Sequence, residues 1–294
     1  MESLTKASSL ALCAAVYIIA LIAGVVTYMM TPELPLWQRI AAADVVGTFV
    51  VFAASWRTNN SSMYDAYWSV APMVIVAGLW LVAEPSAQLL RQVVVFALVW
   101  WWGARLTYNW ARGWSGMAHE DWRYVDLRAQ SGSAYWLVSL TGIHFFPTLL
   151  VFLGCLSLFP AMVTGSAPVG WLDAAAFAVT AGAILCELVA DRQLHAFRQS
   201  KPPREAIMQS GLWSWSRHPN YFGEMMFWWG LCLFGLAASP GSGWLLVGPV
   251  AMTLLFFVVS VPMIEKRMVK RRPHYEAHKK QVSMIVPLPP KKAP

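Results

Sequence analysis

The feature that most constrains this chain is a succession of apolar runs, each near the length of a membrane crossing. They lie at about residues 9–30, 38–56, 67–84, 88–108, 134–159, 168–190, 222–238 and 242–264. A crossing helix needs about 20 predominantly apolar residues, and all eight runs meet or approach that length. The last two are joined by "AASPGSG", a turn of small residues, which predicts a tight helical hairpin. The second and seventh are short and are expected to tilt or to re-enter. Composition agrees, at 57% hydrophobic and 13% charged, against roughly 45–50% and about 25% for soluble domains. The expected class is an all-α integral membrane protein, a polytopic bundle of seven to eight transmembrane helices. The seventeen Trp suit bilayer interfaces or an apolar ligand cavity.

A net charge of +7 raises the question of nucleic acid, but the cations occupy short loops and the tail between apolar runs. Their distribution is topological. The segment from Asn109 to Ala134 carries Arg112, Arg123 and Arg128, and that from Asp191 to Tyr221 carries Arg192, Arg198, Lys201, Arg204 and Arg217. The tail is basic from Lys266 onward, while the loops near 161–167 and 239–243 carry no cation. Alternation through eight spans gathers the basic loops, with Lys6 and Arg57, on one face. That face is expected to be cytoplasmic, with both termini on it. The N-terminal run reads as a retained span, since no small-residue cleavage site and polar mature chain follow it. The four Cys lie inside apolar runs and read as small buried hydrophobes. His274 and His278 are four apart, but "HYEAH" is not a metalloprotease box, so no metal is expected. The final "PLPPKKAP" reads as a disordered tail.

Polar groups crowd the basic face. "HEDWRYVDLR" (His119 to Arg128) places Asp121, Arg123, Tyr124 and Arg128 together. Such a stretch is either a solvated helix with i,i+3 and i,i+4 ion pairs or a guanidinium fork for phosphate. After the sixth run, Asp191 and Arg198 share a helix face two turns apart, with Glu187 one turn nearer the membrane. "SWSRHPNYFGE" then supplies Arg217, His218, Asn220, Tyr221 and Glu224. Pro219 suits the first turn of a helix, whose N-terminus attracts anions. Glu224 lies on Asn220's face, inside the apolar run, where an unpaired carboxylate is costly. A bound cofactor with N–H or O–H donors would account for it. Glu265 ends the last run, and Tyr275 follows within a cationic tail that suits lipid headgroups or a phosphate pocket.

These residues resemble a known superfamily. "SRHPNYFGE", the apolar hairpin after it, the Glu and the tail are similar to steroid 5-alpha-reductases, sterol reductases and isoprenylcysteine carboxyl methyltransferases. "NNSSMYDAYWS", "RLTYNWARGW…HEDWRYVDLR" and "SGLWSWSRHPNYFGE" look most like the uncharacterised bacterial DUF1295 branch, over roughly Asn59 to Pro287. The resemblance implies membrane spans at 1–60 and a catalytic membrane domain at 61–294, with a cytoplasmic-facing cofactor pocket in a bacterial inner membrane. It implies NADPH as cofactor, held by Asp191 with Arg198, by Asn220 with Glu224, and by residues near Tyr108, Asn109 and Arg112. The EDxRY element and the tail add Asp121, Arg123, Tyr124, Arg128, Arg217, His218, Tyr221, Glu265 and Tyr275. The reductases hold a 3-keto oxygen with a Gln-Glu pair and a Tyr. Here Tyr64 and Asp65 stand for the pair and Trp102 for the Tyr, so Tyr67 or Tyr108 would have to supply the phenol.

The expectation is therefore an NADPH-dependent reductase of a double bond conjugated to a carbonyl, in an apolar lipid that enters from the bilayer. Catalysis would rest on Asp65 with Tyr64, Tyr67 or Tyr108. The alternatives are an S-adenosylmethionine-dependent methyltransferase of a lipid or isoprenyl group, which needs fewer Arg, and a transporter or scaffold, which would spread charge along a pathway. Membrane lipids are the other expected partners; nucleic acid is not, and the oligomeric state is open.

Overall fold

A computed structural model describes residues 4–291, and within them the chain is helical. Helices run in the order α1 (Lys6–Met30), α2 (Leu36–Thr58), α3 (Tyr67–Leu81), α4 (Leu89–Gly113), α5 (Trp122–Ser131), α6 (Tyr135–Val138), α7 (Phe146–Cys155), α8 (Trp171–Gln199), α9 (Pro219–Ala238), α10 (Val247–Leu254), α11 (Val261–Arg271) and α12 (Tyr275–Gln281). Short 3-10 and π turns join α5–α7 into one stretch over Trp122–Thr164, which turns at Gly132, where φ is 53°, and α10–α11 into another over Gly243–Arg271. Seven helices are long and apolar enough to cross a membrane. The run expected at 67–84 becomes α3, only 15 residues long, or about 22 Å at 1.5 Å per residue. It is largely buried among its neighbours, so it crosses the bundle without having to match the lipid. The part of the expected disordered tail that is described, 287–291, is neither helix nor strand; residues 292–294 lie outside the described residues.

Local chemistry sets several boundaries. The Thr5 side chain caps α1 by accepting from Ser8 N–H. Asn59 closes α2 with φ of 54°, the left-handed region that Asn tolerates. Pro219 opens α9, where a missing N–H costs nothing. Pro147 and Pro262 stand just after two π-helical turns, Ser139–Phe145 and Leu255–Ser260. A proline inside a helix removes one donor and crowds the preceding turn, and a wider turn is one way to relieve it.

The α8–α9 pair is the tightest in the bundle. Gly223 and Gly230, two turns apart on one face of α9, meet Glu187 and Thr180 of α8 so closely that a Cβ on either would overlap them. Small residues that let backbones approach are the usual means of joining helices in lipid, where apolar burial drives little. The core beneath is aromatic: Trp102 stacks on Phe227 at 4.4 Å, and Trp228 meets both edge-on.

Polar contacts separate the two ends of the bundle. At one end Arg91 of α4 is buried and paired with Asp173 of α8 at 2.6 Å; it also donates to the carbonyls of Ala167 and Ala237. At the other end Lys6 donates to Arg112 O at 2.8 Å and Arg267 pairs with Asp126 at 3.1 Å. The second end gathers the basic loops and nearly all the residues singled out from sequence.

Candidate functional site

Two polar walls meet at the basic end. The first is built by the turn between α2 and α3 and by the start of α5. Asn60 caps that turn by accepting from Ser62 N–H, and its amide donates to Met117 O and His119 O. Asp121 caps α5, accepting from Arg123 N–H, while its own N–H donates to Ser62 Oγ at 2.8 Å. These two caps set Tyr124 against Asp65, and the phenol donates to the carboxylate in a short hydrogen bond. Arg123 stands beside both, 3.6 Å from Asp65 and 2.7 Å from Asp121. Burial raises the Asp65 carboxyl to about 6, with the Arg123 guanidinium and the Tyr124 hydroxyl opposing the rise.

The second wall belongs to α4, α8 and α9. Arg105 of α4 is buried between Glu187 and Asp191 of α8, and Asn109 donates to Asp191 at 2.9 Å. The Glu224 carboxyl lies beside that of Glu187. Glu224 also accepts two indole N–H groups, from Trp102 at 3.0 Å and Trp228 at 2.9 Å. Two buried atoms of this wall, Arg105 Nε and Glu187 Oε1, have no partner among the described residues.

Tyr221 stands where the walls face each other, within electrostatic reach of Arg123 and Asp121 on one side and Asp191 and Glu224 on the other. Arg123, Asp191 and Asp65 lie deep in the fold, yet their side chains keep 38%, 26% and 16% of their surface accessible. Deep and still accessible, these groups border a recess where the two walls face each other at Tyr221.

The other expected residues are placed as follows. Tyr64 is buried with its hydroxyl on Thr148, Tyr67 turns its hydroxyl to Asp44, and Tyr108 is exposed under Arg112. The phenol on Asp65 is thus that of Tyr124, which the resemblance had assigned to the cofactor. Arg128 is held by Asn59 and Glu120 and covers Tyr135 at 3.8 Å. Arg217 is buried against Glu265 at 2.7 Å and donates to the carbonyls of Lys279 and Val282. His218 adds a second contact to Glu265 at 3.2 Å and stacks on Tyr221. Tyr275 packs beside His278 under this clasp. Arg217, His218, Glu265 and Tyr275 therefore bind the C-terminal segment to α9, and Ser283 O accepts from Arg217 N–H to complete the join.

Arg198 stands apart from these pairs. It is exposed near the end of α8, and with Arg271 it acts on Arg272, whose guanidinium is lowered by burial first and then by these two cations. Among the described residues no carboxylate forms a salt bridge with any of the three. Such a cluster suits a phosphate, and the unpartnered Arg105 and Glu187 atoms lie by the recess. The residues present fit a polyanionic nucleotide with a polar head.

Sequence reasoning missed Arg105, which pairs with Glu187 and Asp191, and it missed the indoles that satisfy Glu224. It also missed Asp44 and His144, both buried at membrane depth. A lone ionisable residue in an apolar run was the available signal for each.

A family model described as "Protein of unknown function (DUF1295)" matches residues 51–282. The chain belongs to the DUF1295 family. This DUF1295 protein is also 26% identical over 261 residues to "Uncharacterized protein C594.04c" of Schizosaccharomyces pombe, covering 81% of this chain and 76% of the yeast protein. No solved structure matches it significantly. The matched region takes in both walls of the recess and the turn that carries Asp65.

Proposed function

We propose that this DUF1295 protein is a membrane-embedded, NADPH-dependent reductase of a carbon–carbon double bond conjugated to a carbonyl, acting on an apolar lipid. The observation that carries the reading is the Asp65–Tyr124 pair in the recess, facing Tyr221 and the Arg105–Asp191 wall. Reduction of an enone needs a hydride at the beta carbon, a donor on the oxygen that gains charge, and a proton. NADPH supplies the hydride when bound. Arg198, Arg271 and Arg272 would hold its phosphates, and Asn109 and Asn220, on α4 and α9, would offer amides to its polar head.

The protein's own groups do the rest. Tyr124 carries one O–H, donated here to Asp65; with Asp65 protonated the carboxyl would donate to Oη, and the phenol hydrogen would turn to the carbonyl oxygen. Asp65 fixes its direction and Arg123 keeps positive charge beside it, so the developing oxyanion meets dipoles already in place. The aromatic floor of Trp102, Phe227 and Trp228 would exclude water. Burial between membrane helices suits a substrate that arrives through the bilayer. In this reading the basic end faces the cytoplasm, where the nucleotide is.

The test is a thermal-unfolding titration of purified protein in detergent with NADPH, NADH and S-adenosylmethionine, followed by NADPH oxidation with 3-keto steroids and polyprenyl enones. A ligand at about 100 times its Kd adds about 2.7 kcal/mol to stability. Stabilisation by NADPH above NADH is expected. Stabilisation by S-adenosylmethionine alone would put a methyltransferase in its place.

A further inference from the structure

Asp44 sits eight residues along α2 from Leu36, roughly 12 Å in at 1.5 Å per residue. It therefore lies well inside a helix long and apolar enough to cross a membrane. It is 8% exposed, and its Oδ2 has no partner among the described residues. Its Oδ1 accepts from Tyr67 at 3.3 Å. Thr48, one turn further on, meets Thr148 at 3.0 Å, and Thr148 meets the Tyr64 hydroxyl at 2.7 Å. Tyr67 is thus the one hydroxyl bonded to the carboxyl, while Thr48, Thr148 and Tyr64 form a hydrogen-bonded chain next to it, and Asp44 Oδ2 is left short of a partner. The groups that act on Asp44 include no cation. Asp44, Tyr67 and Thr148 are buried, with 8%, 8% and 5% of their surface accessible, so the polar chamber they form is closed but for a narrow approach.

A buried carboxyl oxygen without a donor is unfavourable, and most such atoms in folded proteins have one. We propose that this chamber binds the hydroxyl group of an apolar lipid, which donates to Asp44 Oδ2 and accepts from the surrounding Tyr67 or Thr48 hydroxyls. A hydroxyl fits better than an amine on two counts. An ammonium has no lone pair to accept from phenol or threonine, and it reaches this depth only at high cost. An alcohol carried by a lipid arrives from the bilayer with its apolar body already in a matching solvent.

The site does not depend on the reductase reading, because it needs no cofactor. Where both hold, the substrate is a lipid with two polar ends. Tyr64 adjoins Asp65 in the chain and lies within the fields of both Asp44 and Asp65, so the chamber and the recess are neighbours. The lipid would then set its carbonyl at Tyr124 and its hydroxyl at Asp44.

The test uses the full-length protein in detergent and two matched pairs: a 3-hydroxysterol with its 3-methyl ether, and farnesol with its methyl ether. Each ether keeps the acceptor oxygen, loses the donor and adds one methyl group; Asp44→Asn, which leaves the space nearly unchanged, separates the lost donor from the added bulk. For at least one pair, the alcohol should stabilise against heat at a concentration roughly tenfold below that of the ether, about the worth of one hydrogen bond. In Asp44→Leu that advantage should disappear. Asp44→Asn and Tyr67→Phe supply the same comparison, with a reduced advantage expected, should Asp44→Leu fail to fold. Equal potency of alcohol and ether in the wild type, as when a buried water serves Oδ2, would overturn the proposal; so would an advantage that survives in the folded variants. NADPH is titrated into the same samples. Its failure to stabilise the wild type sinks the reductase reading and leaves the alcohol result standing.

Discussion

Replacing Asp65 with Asn separates a functional carboxylate from a structural one. The Asp65 carboxyl is raised from 3.8 to about 6. A group whose folded value lies above its unfolded value contributes stability below the unfolded value, and that contribution is lost as pH rises through the folded one. The window therefore runs from about pH 4 to just above pH 6, and a shift of about two units is worth about 3 kcal/mol. Wild type should lose that much between about pH 4 and pH 7, beyond whatever other groups contribute. Asp65→Asn has no charge to bury, so this part of the slope should vanish. At neutral pH the substitution relieves the burial cost and weakens the bond from Tyr124, which is worth about 1.5–3 kcal/mol to a charged acceptor. The two nearly offset, and Arg123 is not stranded because Asp121 remains at 2.7 Å. Net stability should change by less than about 1.5 kcal/mol. Turnover of an enone lipid should nevertheless fall by about 100-fold or more, as expected when a proton-transfer group loses its orienting partner, while NADPH affinity stays within about threefold. The assay is denaturant unfolding across this pH range and turnover per folded molecule, on one preparation. Wild-type turnover in the Asn variant, or an unchanged slope with pH, would refute the reasoning.

Other outcomes follow from the same geometry. Arg198→Glu reverses charge in an unopposed cationic cluster and should weaken NADPH by about tenfold or more in isothermal titration, with a smaller effect on NADH. Glu265→Gln strands the buried Arg217 and should cost about 3–5 kcal/mol, seen as a lower unfolding midpoint and faster proteolysis near Lys279 and Lys280. Gly230→Val drives a side chain into Thr180 of α8 and should cost about 1–3 kcal/mol or more by overpacking; an unchanged midpoint would mean the α8–α9 contact is looser than described.

The bundle was legible because hydropathy and charge are properties of runs. A span of apolar residues declares itself whatever packs against it, and alternating basic loops place the ends. Only α3 resisted: its run at 67–84 suggests a full crossing, while Leu81 ends the helix after 15 residues. A helix buried by protein on most sides need not match the bilayer, and hydropathy does not distinguish protein from lipid as the apolar neighbour.

The site was legible by position along the chain and not by partner. Arg123, Arg128, Arg198 and Arg217 read alike in sequence, as cations on one face open to a phosphate. In the fold Arg128 and Arg217 are engaged by Glu120 and Glu265, and Arg123 by Asp121 and Asp65. Arg198 is the one of the four without a salt bridge among the described residues. The carboxylates that neutralise the others come from 2 to 58 positions away, and only Asp121 is near enough for local spacing to have suggested the pair. The same limit hid the phenol on Asp65: Tyr124 lies 59 residues on, brought back by two caps that each look like ordinary turn chemistry. Whether a polar group on a membrane face holds a ligand or holds the protein is decided by contacts between segments. Groups left without a charged partner among the described residues, such as Arg198 at the surface and Asp44 buried within α2, are therefore the better guides to what this chain binds.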